Sequence, residues 1–492
     1  MVHHQRDARG RQLIREGGRM EVQRIGGVVL LLFGLTGCAS VDLHAGFPDV
    51  SAAVEERAAT KVVWNRGTEL DKEAEEKLRA LRQRKLSADD AVQIAMLNNR
   101  DLQAIYTELG VAQADLVQAG LFRNPILAAA VQFPLSGIRP DIQLSVVVSF
   151  LDAFYVPLRK RVAVAQFEEA KLRVTGAVLD FALQVRTAFY GQQANEQMLE
   201  LRGSIVQALT ASFEVSRRLH EAGNITDLDL ARDRALMEAS KLALRSAEVA
   251  AVQGREQLNS FMGAWGEATE WDIDGRLPEI PEQVLPASSI ERTALTRSLD
   301  LSNAQQRIMV AGQQLGYDTA TALIPSVDFG ASAEREPVEG WRVGPVLSVP
   351  IPLFDQGQAR VARAMVELRR AQQEYYALAV RIRATARAVQ ERMRGAQDRA
   401  VYYRDILLPL RERIVNEAQL QYNAMQIGVV QLLREREQQI ETSVAYVDAL
   451  REYWLARADL EQMSSGRLPA SNGFRVEGAG AKTKMKGGRH GE

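Results

Sequence analysis

From Leu158 to Leu277 the chain contains no proline, and its apolar residues recur with helical spacing for most of that length. Val174, Val178, Phe181, Val185 and Ala188 step by four and three, and Met198, Leu201, Ile205 and Ala208 do the same further on. This keeps one apolar seam on a helix, the pattern of a coiled coil or bundle helix. Near the middle, Glu221-Ala222-Gly223-Asn224-Ile225-Thr226-Asp227 interrupts it. Gly223 can supply the left-handed geometry that ends one helix, and Asn224, Thr226 or Asp227 can cap the next. The stretch reads as a helical hairpin with arms of about 60 residues, or roughly 90 Å at about 1.5 Å per residue. Arms of that length do not fit inside an ordinary globular domain.

Composition narrows the functional classes. With 61 basic and 62 acidic residues the formal net charge is −1, and no basic face marks a nucleic-acid partner. Four of the five histidines (His3, His4, His44 and His490) lie in terminal segments, His220 being the exception, and the methionines are scattered singly. The sequence therefore suggests no metal site and no cofactor. It contains no GxSxG, HExxH or phosphate-binding glycine loop, so no enzymatic activity is expected, and pairs such as Glu168-Glu169 read as solvated helix faces.

The single cysteine, Cys38, follows a basic residue (Arg24), the apolar run Val28 to Phe33, and Gly34-Leu35-Thr36-Gly37. These are the parts of a signal peptide over 1–37, with translation starting at Met20. Leu35-Thr36-Gly37-Cys38 resembles the lipobox of bacterial lipoproteins, which implies lipidation of Cys38. Ala39-Ser40, without Asp at the second position, implies outer-membrane retention by the same resemblance. One cysteine allows no internal disulfide.

Beyond the N-terminal segment 38–85, one unit occurs twice. In the first copy (86–285), Ser87 with Asp90 offers a capping box, and a helix runs to about Gly120. Alternating segments at about 126–134 and 141–150 precede the hairpin of 158–270. The second copy (286–468) repeats this order, with a helix from Ile290 to Ala320, strands at about 326–334 and 341–351, and a hairpin over 356–465. Leu299-Asp300-Leu301 stands in the place of Arg100-Asp101-Leu102, and Ala322-Leu323-Ile324-Pro325 in that of Phe122-Arg123-Asn124-Pro125. Trp271 to Ser288, with three prolines, reads as a linker, and 469–492 as a disordered tail. Duplication is the organising fact.

Each strand runs roughly eight to eleven residues with one apolar and one polar or small face, which suits the tilted strand of about 9–11 residues in an outer-membrane barrel, although a half-buried soluble sheet alternates in the same way. Four strands cannot close a barrel, whereas three protomers supply twelve and leave no exposed edge. Pro345 and Pro350 are expected near strand ends or a bulge.

The lipobox, the duplication and Leu347-Ser348-Val349-Pro350-Ile351-Pro352-Leu353-Phe354-Asp355-Gln356-Gly357-Gln358 together resemble the TolC-like outer membrane efflux protein family, over roughly Leu86 to Met463. Ala119 to Pro125 is similar to that family's first helix-to-strand junction. The resemblance implies a mainly α fold with a membrane β-barrel part: a trimeric 12-stranded β-barrel continued by an α-helical barrel of long coiled-coil hairpins. It also implies a homotrimer in outer membrane lipid that works with a periplasmic adaptor protein and an inner-membrane pump of the RND type. The hairpin tips would dock the adaptor, here at Ala222, Gly223 and Asn224 in the first copy and Met425 in the second. Met425 departs from the family's small residue, and Gly428 is expected to supply the turn there. Family members often carry acidic gate residues inside the second tip, where this chain has Gln431 and Arg434. The first copy has Asp227, Asp229 and Asp233, so Arg434 is expected to pair with Asp229 or Asp233 across neighbouring hairpins. A lipid-anchored periplasmic coiled-coil scaffold is the rival reading, and the strands distinguish the two.

Overall fold

The computed structural model describes residues 40–65, 76, 78, 80–81, 84–133, 140–281, 290–336 and 340–469. The expected signal peptide, Cys38 and the tail beyond Pro469 lie outside the described residues, as do positions 134–139 between the first two strands and 282–288 of the expected linker. The helices and strands described below all belong to one unit that begins at Leu43.

In chain order the elements are α1 (Phe47–Ala58), α2 (Ala88–Asn98), α3 (Arg100–Gly120), β1 (Ile126–Gln132), β2 (Asp141–Ser149), α4 (Asp152–Glu221) and α5 (Asp227–Met262). The second set is α6 (Ile290–Thr296), α7 (Leu299–Ala320), β3 (Asp328–Glu336), β4 (Gly340–Ser348), α8 (Gln358–Tyr402), α9 (Leu408–Asn423) and α10 (Val429–Ser464). The duplication is visible in the lengths. Helices of 21 and 22 residues precede the two strand pairs, and both hairpins return through helices of 36 residues.

Several expected boundaries shift, each for a physical reason. The helix expected to run unbroken from Ser87 to Gly120 divides at Asn99. There the Asn99 side chain accepts from the Leu102 N–H at 2.9 Å and restarts the helix as its N-cap. Ser298 does the same for α7, accepting from Leu301 N–H at 3.0 Å. The Ser87–Asp90 capping box forms in full. The first hairpin has unequal arms. Its outgoing helix of 70 residues includes Pro157 close to its start, and at about 1.5 Å per residue it runs roughly 105 Å. Its return stops at Gly263, which takes a left-handed φ of 61° while Asn98 donates to the Met262 and Gly263 carbonyls. In the second hairpin the outgoing arm contains a π-helical turn at Tyr403–Leu407, which ends two residues before Pro409. A proline cannot donate to the carbonyl four residues back, and the ladder widens around the loss.

The stretch from Trp271, expected as a linker, packs onto the core through Trp271, Ile273, Leu277 and Ile280, all buried. Leu86 bridges to Ile273, Trp271 donates to Asn259 Oδ1 at 2.7 Å, and the Arg255 guanidinium stacks on the Trp271 ring at 4.1 Å. The main core lies where the early helices meet both hairpins. Val174, Val178 and Val185 of α4 pack with Leu258 and Met262 of α5, Val389 and Met393 of α8, and Tyr453 of α10. Each such side chain contributes about 1.5–3 kcal/mol by leaving water. A smaller cluster of Ile205, Leu209 and Met237, flanked by Ile440 and Val444, joins the hairpins nearer their tips.

The strands form one antiparallel sheet in the order β1-β2-β3-β4, leaving β1 and β4 as open edges. Pro345 lies inside β4, opposite Ala331, rather than at a strand end; an edge strand can seat a proline whose missing N–H would face away from its neighbour. Pro350 falls beyond the strand, as expected.

Candidate functional site

Two features have no role in a soluble core: the sheet and the hairpin tips. The register assigns every strand residue to a face. Leu127 pairs with Val146, Val146 with Ala331 and Ala331 with Pro345, while Val148 pairs with Phe329 and Phe329 with Leu347. One face is thus apolar across all four strands. The opposite face aligns Ala128, Ser145, Ser332 and Gly344, and carries Gln143 and Glu334, hydrogen-bonded at 2.9 Å. Nothing among the described residues covers the apolar face, where Leu127 and Val343 remain 71% and 76% exposed. Strands of seven to nine residues rise about 3.4 Å per residue, or roughly 24–30 Å, close to the apolar band of an outer-membrane barrel. Among the described residues no helix is long and apolar enough to cross a membrane.

The two tips close by the same motif. Gly223 N–H donates to His220 O and Asn224 N–H to Leu219 O, both at 2.8 Å. Met425 N–H donates to Tyr422 O and Gln426 N–H to Gln421 O, both at 2.9 Å. These are the paired bonds of a Schellman end, which requires a left-handed residue at its centre. Gly223 takes it with φ 75° and Met425 with φ 59°. The expectation that Gly428 would supply the second turn is therefore corrected. Gly428 is extended (φ −81°, ψ 163°) and begins α10 as an N-cap without a side chain, and Met425 itself bears the left-handed strain while remaining 94% exposed. Ala222 is the C-cap of α4.

At the first tip, Asp227 lies 2.7 Å from His220 Nε2 across the turn. Asp229 belongs to the cap of α5: its N–H donates to Thr226 Oγ1 at 3.2 Å, the Thr226 hydroxyl donates to its carboxylate at 2.7 Å, and Arg232 approaches at 3.6 Å. Asp233 does not reach toward Arg434. It is 7% exposed and accepts from the Ser216 hydroxyl inside its own hairpin. Burial pushes its carboxyl above the usual range, the Ser216 hydrogen bond opposes this, and Asp229 adds to it. The pairing of Arg434 with Asp233 is thereby corrected: the α4–α5 contact uses that carboxylate. Arg434 and Gln431 are exposed, and Arg434 makes no ion pair among the described residues, whereas Glu435 pairs with Arg411 at 3.6 Å.

Sequence reasoning missed the groove between the hairpins just above the tips, a cavity of about 570 Å³ lined by Ile205, Ala208 and Leu209 of α4 and by Tyr422, Leu432 and Ile440 of the second hairpin. Its signal was the apolar spacing on both hairpins, which cannot by itself say that the two face one another.

No family model matches the chain. The cobalt-zinc-cadmium resistance protein CzcC of Cupriavidus metallidurans is 21% identical over 391 residues, covering 77% of this chain and 90% of that protein. The probable efflux pump outer membrane protein TtgC of Pseudomonas putida is 23% identical over 304 residues, 55% of this chain and 60% of its own. Among solved structures, the outer-membrane channel OprN superposes with a TM-score of 0.64 at 17% identity, over 88% of this chain and 97% of that one. CusC gives 0.64 at 14% identity over 77% and 92%. The chain therefore shares its fold with the solved outer-membrane channels OprN and CusC over most of each chain, and its sequence is similar to CzcC along most of that protein's length.

Proposed function

We propose that the chain is the outer membrane channel of a tripartite efflux pump, a passive conduit rather than a periplasmic scaffold. The observation that carries this reading is the register-coherent apolar face on a sheet with two open edges. Unpaired backbone cannot be left in hydrocarbon, so β4 of one copy must pair with β1 of the next. Three copies close a barrel of about 12 strands, and their hairpins continue it as a helical tunnel through the periplasm. A lipid on Cys38 would add an anchor in the same membrane.

The tips would meet a periplasmic adaptor, which links the channel to an inner-membrane pump of the RND type. Ala222, Gly223, Asn224, Met425 and Gly428 supply the exposed turns for that contact. CzcC and TtgC are named for metal resistance and for efflux; in this reading the pump selects the cargo. At the tunnel end, Arg434 has Asp229 of a neighbouring copy as its remaining candidate partner, since Asp233 is engaged by Ser216. One exposed pair contributes only about 0–1 kcal/mol, so closure would depend on threefold repetition.

Protein extracted from outer membranes should migrate as a heat-modifiable trimer and open channels in planar bilayers. A monomer recovered from the soluble periplasmic fraction after removal of the lipid anchor would return the reading to the scaffold. Arg434→Ala should raise single-channel conductance and the vancomycin sensitivity of cells; no change in either would dismiss the gate while leaving the channel intact.

A further inference from the structure

The helix end of the sheet carries an apolar belt that neither the sheet nor the helices cover. Phe150 and Phe154 follow β2, Phe122 precedes β1, and Ile351, Leu353 and Phe354 follow β4; all are exposed, Phe354 to 92%. Phe150 continues the ladder through its N–H to Val327 O at 2.8 Å, so it stays on the apolar face of the sheet, as Ile351 does by alternation from Leu347. Phe150 and Phe154 meet edge to face with centroids 6.1 Å apart. Aromatic side chains in this position suit the boundary between acyl chains and headgroups.

Immediately beyond the belt, α4 presents Lys160 and Arg161, both exposed and neither paired with a carboxylate among the described residues. They lie six and seven residues past Phe154, or about 9–10 Å along the axis. Helical side chains lean toward the N-terminus, which for α4 is the sheet end, so these long cations extend back toward the belt. Two carboxylates toward this end are engaged elsewhere: Asp152 is buried and accepts from the Arg123 N–H at 2.9 Å, and Asp318 is buried beside Arg360 at 3.7 Å. Arg159 is engaged by the Ala119 and Leu121 carbonyls.

We propose that this belt and its cations form a lipid-binding collar, in which the aromatic groups seat in the membrane interface and Lys160 and Arg161 bind the phosphates of anionic phospholipid headgroups. The collar rests on the reading of the sheet as membrane-spanning. It deepens that reading by naming the lipid class and by fixing the depth at which each protomer sits. Apolar continuity with the exposed sheet face and complementarity of charge select a lipid surface as the occupant.

The test uses the full chain diluted from detergent into preformed vesicles of phosphatidylcholine, alone or with phosphatidylglycerol added, and recovered by flotation. Wild type should insert into both, with preference for the anionic vesicles, and added salt should weaken that preference. The double variant Lys160→Gln/Arg161→Gln should lose the preference, by about fivefold per charge removed, while inserting into phosphatidylcholine as before with an unchanged heat-modifiable band. Retention of the full preference by the variant, or indifference of wild type to phosphatidylglycerol, would overturn the collar and leave the channel reading standing. Failure of wild type to insert into either vesicle would overturn both.

Discussion

Met425 offers a direct measurement of strain at a hairpin tip. Its left-handed backbone costs a residue with a Cβ about 1–2 kcal/mol, and its almost fully exposed side chain loses little packing on removal. Glycine removes the penalty but gives back about 0.5–1 kcal/mol of unfolded-chain entropy. Met425→Gly should therefore stabilise the second tip by about 0.5–1 kcal/mol. At the first tip the arithmetic reverses. A Cβ added at Gly223 meets no atom within 4 Å, so Gly223→Ala has only the conformational penalty, and the tip should weaken by a similar amount. Hydrogen exchange of the closing amides reads both effects locally: protection at Met425 and Gln426 should rise about two- to fivefold in the first variant, and protection at the equivalent Gly223 and Asn224 positions should fall comparably in the second. If Met425→Gly lowers protection, or Gly223→Ala leaves it unchanged, the two tips do not share the Schellman geometry and the strain argument fails. Exchange monitors the turn itself and does not depend on a docking partner.

Two further outcomes test other parts of the fold. Val343→Lys puts a charge on the apolar face and should cost about 2–4 kcal/mol in membrane assembly, whereas Ser332→Lys on the opposite face should be tolerated; equal yields of heat-modifiable protein from outer membranes would reject the assignment of faces. Burial raises the Asp233 carboxyl above its unfolded value, so its contribution to stability is greatest in acid and is lost as pH rises through the folded value. Asp233→Asn should therefore stabilise the first hairpin at neutral pH and flatten its dependence between there and the ordinary carboxylate range; an unaltered pH profile in urea titrations would show that another group titrates.

The sequence determined the duplication, the long hairpins and the alternation of the strands, because these depend on periodicity and on local turn chemistry. The proline-free run after Pro157 and the Gly223 turn act through the backbone nearest them, and so did the Ser87–Asp90 box. Local chemistry is ambiguous where two residues could serve the same turn: Gly428 looked the better left-handed residue than Met425, but the Schellman bonds fix the position by counting back from the helix end, and that count lands on Met425. Other features depended on elements distant in the chain. Only the strand register showed that four separate alternations add up to a single apolar face with two open edges. Only the packing of α4 against α5 showed that Asp233 is buried against Ser216 and unavailable to Arg434. The end of the first return helix at Gly263 needed Asn98, 165 residues away, to bind its last carbonyls. Periodicity specifies which side of an element is apolar; what that side meets is decided by tertiary structure, because the partner's position is not encoded in the element's own spacing.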